Sequence, residues 1–193
     1  MGFVSLPEGA AWRHLDARVG FEVTYFLAQE DGYRVEGCTT AVEDRLSWIV
    51  EYAIDVDAAW RTRRARVTSR SASGRRRTLI EADGDGHWWI DGAHAPDLDG
   101  CLDVDLESSA MTNTFPVHRL GLAVGADADA PAAFVRALDL GVERIDQHYT
   151  RVPGESGRLE YDYSSPVFDF HCRLVFDESG LVMDYPGLAA RER

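Results

Sequence analysis

From Gly20 onward, hydrophobic and polar residues alternate over short stretches separated by turns marked with glycine, aspartate and serine. A period of two describes a strand with two unlike faces, and its repetition along the chain predicts antiparallel β structure. The expected strands run from Phe21 to Gln29, Tyr33 to Val42, Ser47 to Val56, Trp60 to Ser69, Thr78 to Ala82 and Trp88 to Asp91, then from Cys101 to Leu106, Val117 to Val124, Gly141 to Arg151, Arg158 to Tyr163, Val167 to Phe176 and Leu181 to Met183. Glu30-Asp31-Gly32, Ser73-Gly74, Asp83-Gly84-Asp85-Gly86 and Glu178-Ser179-Gly180 supply residues that accept positive φ at tight connections, so sequential strands are expected to form a meander. One segment departs from this pattern. Ala130 to Leu138 follows an Asp-rich turn, has Pro131 where a first helical turn tolerates it, and sets Phe134, Val135 and Leu138 on one stripe, which predicts a short helix. About twelve strands exceed what one flat sheet holds, because twist accumulates. The predicted fold is therefore mainly β: a single strongly curled antiparallel sheet, half-barrel or barrel-like, with one short helix and one domain over residues 1–193. A ligand would occupy its concave face if the inner residues leave room.

The segment from Gly100 to Leu120 carries the most suggestive chemistry. Leu102, Val104 and Leu106 alternate with Cys101, Asp103 and Asp105, so both carboxylates share one face of the strand. A turn is expected from Thr112 to Pro116, and Arg119 beyond it is the nearest cation. Two readings stand: a strand with a wet outer face, or a shielded cluster of Asp103, Asp105, Asn113 and Arg119 in which Asp103 or Asp105 pairs with the guanidinium. Further on, Ile145, Gln147 and Tyr149 share one face, as do Leu159, Tyr161 and Tyr163. Such faces could line an amphipathic pocket or, taken singly, be core aromatics with hydroxyls at the rim.

Composition narrows the classes. A net charge of −13 argues against nucleic acid as a partner, since phosphate neutralisation needs a cationic surface. All 20 Lys+Arg residues are arginine, and eight of them (Arg61, Arg63, Arg64, Arg66, Arg70, Arg75, Arg76, Arg77) crowd one short span. That span reads as a solvated hairpin paired with nearby acids or as a local site for an anionic head group. Cys38, Cys101 and Cys172 are odd in number and widely spaced, which fits reduced thiols and a cytoplasmic location rather than a disulfide framework or a zinc site. The N-terminal residues lack a basic segment followed by an apolar one, and no apolar run is long enough to span a bilayer. No GxSxG, HExxH, phosphate loop or EF-hand loop is present, and the six histidines lack metal spacing, so no catalytic residue, metal or cofactor is expected.

Five blocks, taken together, resemble the bacterial family described as putative glycolipid-binding, formerly a domain of unknown function. They are Tyr52-Ala53-Ile54-Asp55 leading to Trp60-Arg61-Thr62-Arg63, the run Gly100 to Leu106, the run Thr112 to Leu120, Gln147-His148-Tyr149, and the run Gly180 to Leu188. The resemblance implies an antiparallel fold similar to the open half-barrels of lipoprotein localisation factors and mycobacterial glycolipid-carrying lipoproteins. From the residues and the resemblance together, the expected function is non-catalytic binding of a glycolipid or lipid-like amphipathic small molecule by a cytoplasmic protein, with Asp103, Asp105, Asn113 and Arg119 at the polar end and Gln147, Tyr149, Tyr161 and Tyr163 along the wall. Two alternatives stay open: an enzyme acting on a small carbohydrate or acyl compound through Asp103 and Asp105, and a β domain without a cavity that forms a homodimer through an exposed sheet edge.

Overall fold

The computed structural model describes residues 2–155 and 158–192. Its strands are β1 (Gly9–His14), β2 (Val19–Gln29), β3 (Gly32–Glu43), β4 (Leu46–Asp57), β5 (Thr62–Ser71), β6 (Gly74–Ala82), β7 (Trp88–Ile90), β8 (Ala93–His94), β9 (Asp103–Leu106), β10 (Asp127–Asp129), β11 (Ala132–Val135), β12 (Val142–Ile145), β13 (His148–Val152), β14 (Leu159–Ser165), β15 (Phe170–Phe176), β16 (Val182–Tyr185) and β17 (Ala189–Arg191), with one α-helix, α1 (Thr114–Leu120). Fourteen strands form one antiparallel sheet in the order β10-β13-β14-β15-β16-β17-β1-β2-β3-β4-β5-β6-β7-β8. The C-terminal meander thus joins the N-terminal one where β17 pairs with β1, Trp12 opposite Arg191 and His14 opposite Ala189.

The long strands β2 to β6 follow the expected meander, and the mainly β, strongly curled architecture is as predicted. Three details differ. Residues 130–138 are not helical: β11 lies between β9, to which it is parallel, and antiparallel β12, in a second sheet of three strands. All four β11 residues are buried, so their continuous apolar run reflects two covered faces rather than a helical stripe. The helix lies instead where a strand from Val117 to Val124 was expected. Pro116 falls in the first turn of α1, where its missing N–H breaks no hydrogen bond. Gly121 ends the helix in the left-handed conformation at φ 52°, its N–H bonding the Val117 carbonyl. The expected strand from Gly141 to Arg151 is divided at Asp146-Gln147, so that β12 belongs to the small sheet and β13 to the large one.

The small sheet, α1 and their connections pack against the inner face of the large sheet. Trp12, Tyr52, Trp88 and Tyr149, from distant strands, share one buried cluster with Val104, Met111 and Phe115 of this insert. Inner-face polar side chains satisfy the insert's backbone, which would otherwise bury unpaired groups. The Thr39 hydroxyl donates to the Ser108 carbonyl at 2.8 Å and the Ser69 hydroxyl to the Ala137 carbonyl at 2.6 Å, while the Val104 N–H donates to Thr62 Oγ1 at 3.0 Å. Among the described residues no helix is long and apolar enough to cross a membrane.

Candidate functional site

Where the insert meets β14 to β17 and the end of β1, it leaves a cleft of about 230 Å3. The end of β1 and the turn after it contribute His14 and Arg18, and the end of β9 with its following loop contributes Asp105, Ser108 and Ser109. Apolar wall comes from Phe134, Ile145, Phe168, Phe170 and Leu188. The cleft therefore offers donors and acceptors on one side and aromatic and aliphatic surface on the other, the composition that ligand sites favour.

Of the eight residues expected to bind a ligand, Asp105, Asn113 and Tyr163 line this cleft, whereas Asp103, Arg119, Gln147, Tyr149 and Tyr161 do not. The expected ion pair is present on Asp103. Its carboxylate takes Arg119 Nη2 at 2.6 Å and Nε at 3.1 Å, with side chains only 2% and 13% exposed. Burial pushes the Asp103 carboxyl up from its ordinary value, and the guanidinium opposes that. Asp103 is thereby committed to the fold and is not paired with Asp105 as an acid and a base. Asp105 instead accepts from Thr112 Oγ1 at 2.7 Å and Gln147 Nε2 at 2.7 Å. Burial raises its carboxyl to about 6, the two hydrogen bonds oppose the shift, and the neighbouring charges of Asp103 and Glu107 reinforce it.

The tyrosines behave mainly as core. Tyr149 and Tyr161 are fully buried and meet edge-on with centroids 6.3 Å apart, and Tyr161 meets Phe176 at 5.4 Å. Tyr149 donates to Asn113 Oδ1 at 2.9 Å, which holds the start of α1 against the large sheet. Gln147 Nε2 also donates to the Tyr163 hydroxyl at 3.0 Å, and so links the cleft wall to Asp105. The expected aromatic lining of an open concavity is thus replaced by a packed wall that reaches the cleft through Tyr163 alone of those three tyrosines.

Three important residues escaped the sequence reading. Glu22 is fully buried on the inner face of β2, where its carboxylate accepts from the Tyr52 hydroxyl at 2.6 Å, the Ser109 hydroxyl, and the Ala110 N–H at 2.9 Å. It fixes the loop that forms one rim of the cleft. Its only sequence signal is an acid at a strand position facing the same way as Thr24 and Phe26. His14 and Arg18 escaped because no neighbouring motif marks them. Burial and the nearby Arg18 charge lower the His14 imidazole to about 4, opposed by the adjacent Leu188 backbone.

The arginine-rich span lies outside the cleft. Arg61, Arg63 and Arg64 pair with Asp85, Asp57 and Glu81, and Arg66, Arg70, Arg75, Arg76 and Arg77 are exposed on β5 and β6, away from the cleft. Among the described residues, no group of three or more His, Cys, Asp and Glu side chains could hold a metal ion. Cys38, Cys101 and Cys172 are free thiols, with Cys101 raised to about 11 and Cys172 to about 12 by burial.

The family model described as Putative glycolipid-binding matches residues 9–191. Among solved structures, a DUF1089 family protein from Pseudomonas aeruginosa is 36% identical, with a TM-score of 0.78, over 89% of this chain and 92% of that one. A β-barrel-like protein of domain of unknown function DUF1849 from Brucella abortus shares the fold at 12% identity, with a TM-score of 0.53 over 98% and 96% of the two chains. No curated protein matches.

Proposed function

The chain belongs to the Putative glycolipid-binding family, and from that premise we propose that it holds one end of an amphipathic small molecule, a glycolipid or lipid-like compound, in the cleft between the insert and β14 to β17, without catalysing its conversion. The observation that carries this reading is the divided lining. Arg18, His14, Asp105 and Ser109 face an apolar wall of Phe134, Phe168 and Phe170 across about 230 Å3. That volume is roughly that of eight waters, so it accommodates a single sugar ring or a short length of one chain, not a whole glycolipid. In this reading Asp105, Asn113 and Tyr163 remain ligand residues from the sequence-derived set, and Asp103, Arg119, Gln147 and Tyr149 position them.

Native mass spectrometry of material co-purifying with the protein, followed by calorimetric titration of an alkyl glycoside, tests the reading. One-to-one saturable binding is expected. Phe168→Asp, at a wall residue that is 43% exposed and so tolerant of substitution, should abolish binding while leaving the circular dichroism spectrum unchanged. Retained affinity in that variant would show that the ligand sits elsewhere.

The edge-mediated dimer finds little support in the sheet. Its outer strands are β8, of two residues, and β10, whose Asp127 and Asp129 are exposed. Short or acidic edges present little ladder for a second chain to extend.

A further inference from the structure

The outer face of β2 is apolar where an exposed sheet face is ordinarily polar. Val19, Phe21, Val23, Tyr25 and Leu27 all lie on it, with Phe21 49% and Tyr25 58% exposed, in a stripe roughly 27 Å long at the usual strand rise. Single exposed hydrophobes are ordinary, but a contiguous row on a central strand marks an interaction surface. The cleft does not use this row, since none of the five residues lines it.

The charges beside the stripe say what it meets. Strand register carries the stripe across the sheet into arginines: Phe21 leads through Thr40 and Ile49 to Arg70 and Arg75, Val23 leads to Arg77, and Tyr25 leads to Arg66. All four arginines are exposed, and among the described residues none of them makes an ion pair, whereas the neighbouring Arg64 is held by Glu81. Arg70 and Arg75 stand directly opposite each other in the ladder, an arrangement that costs stability until an anion neutralises it. The same three rows hold two carboxylates: Glu36, which Arg34 already binds at 2.6 Å, and Glu51. Exposed acids such as Asp129, Asp162 and Asp184 lie on β10, β14 and β16, on the other side of β2, so the net charge of −13 is not spread over this face.

We propose that the outer face from β2 to β6 docks on an anionic lipid bilayer, with the β2 stripe between headgroups and acyl chains and Arg66, Arg70, Arg75 and Arg77 against lipid phosphates. The partner is a membrane surface recognised by its charge, not the single molecule held in the cleft, and the inference does not rest on that reading. The apolar and cationic strips are three to four strands apart, roughly 14 to 19 Å. A bilayer presents apolar depth and anionic headgroups continuously, so it satisfies both strips without a fixed register. Because the sheet curls away from β2, the stripe sits deepest and the long arginine side chains reach back to headgroup level. A second copy of the chain fits the face less well. Two stripes packed with their arginine flanks together set like charges against each other; packed the other way, the arginines lie over β15 to β17, which the curl carries out of contact.

Co-sedimentation with vesicles of phosphatidylcholine, alone or with about one-third phosphatidylglycerol, decides the matter. Binding is expected to the anionic vesicles only, and it should fall at least about tenfold between about 0.1 and 0.5 M salt because the attraction is screened. Arg70→Gln with Arg77→Gln should weaken it about 20-fold, near fivefold for each arginine. Phe21→Thr with Tyr25→Thr should weaken it about tenfold or more. All four positions are exposed, and an unchanged circular dichroism spectrum checks that each variant folds; the arginine variant keeps the test open if the apolar one does not. Absence of binding to anionic vesicles, equal binding to neutral ones, or binding that neither variant weakens overturns the proposal. So does a dimer, seen by sedimentation velocity without lipid, that Phe21→Thr with Tyr25→Thr dissociates, since it would assign the face to a second copy.

Discussion

Asp105 is the residue whose environment has the clearest measurable consequence. Its carboxyl titrates near 6 in the folded protein, against an ordinary value near 3.8. An acid raised in this way binds its proton more tightly when folded, so it destabilises the fold progressively as pH rises from about 4 to about 6, and the penalty is constant above that. Two pKa units correspond to at most about 3 kcal/mol. Asp105→Asn should therefore raise stability at pH 7, by about 1 to 2 kcal/mol after imperfect replacement of the Thr112 and Gln147 bonds, and flatten the decline between pH 4 and 6. Denaturant titrations at several pH values check this, and an unchanged slope in the variant would assign the effect to other buried acids, such as Glu22 and Asp103, which shift in the same direction. Arg119 makes the opposite case. Removing it leaves Asp103 buried and uncompensated, so Arg119→Ala should cost about 3 to 5 kcal/mol in chemical denaturation, against under about 1 for an exposed pair. This ion pair was legible in the sequence because two carboxylates in an apolar strand call for a cation nearby. His14 and Arg18 were not, since nothing in a lone histidine or arginine tells whether its polar atoms will find partners.

The strands β2 to β4 show how a correct secondary structure can hide an inverted face. On β2 the apolar positions Val19, Phe21, Val23, Tyr25 and Leu27 are exposed, whereas Glu22 and Thr24 are fully buried. Alternation reveals that a strand has two faces, and the usual inference turns the apolar one inward. Here the inner face of β2 serves an inserted segment with backbone groups to satisfy, so the carboxylate and hydroxyl point in. Tyr52 completes the arrangement. It pairs with Gly37 across the β3 and β4 ladder, and its ring lies over the glycine to bring the hydroxyl to Glu22 and to within 2.6 Å of Thr24 Oγ1. A Cβ at position 37 would overlap that ring, so Gly37→Ala should displace Tyr52 and cost about 2 kcal/mol or more. Tyr52→Phe, which keeps the ring and loses only the hydroxyl, should cost about 1 to 3 kcal/mol. Equal stability of Gly37→Ala and the parent in thermal unfolding would mean that the ring is not fixed there. The hairpins were legible because turn chemistry is local. The exchange of helix and strand between residues 114 and 138 was not, because Pro116 reads as a turn until the helix that follows it is known, and a strand covered on both faces loses its alternation.

At the scale of the molecule, the insert decides what the curled sheet can hold. A concave sheet of fourteen strands has room for a large ligand, yet residues of β9, β11, β12 and α1 and the tyrosines of β13 and β14 occupy most of its inner face. Beside β14 to β17 this leaves a cleft of about 230 Å3. The curl was foreseeable from strand number, but the filling was not, since it depends on the placement of a segment whose elements were themselves misassigned. Capacity then becomes a test of the architecture. For a series of alkyl glycosides, each methylene that enters the apolar wall should add about 0.8 kcal/mol of binding free energy. With a sugar ring at the His14 and Arg18 end, only a few carbons fit before the tail emerges into water. Affinity measured by calorimetry should therefore climb over the first few methylenes and level off well before a twelve-carbon chain. A steady climb through the whole series would mean that the insert moves aside and exposes the rest of the concavity. In that case the binding-competent state is an opened form of the sheet, and trapping the insert in place, for instance with a disulfide between it and β3, should restore the plateau.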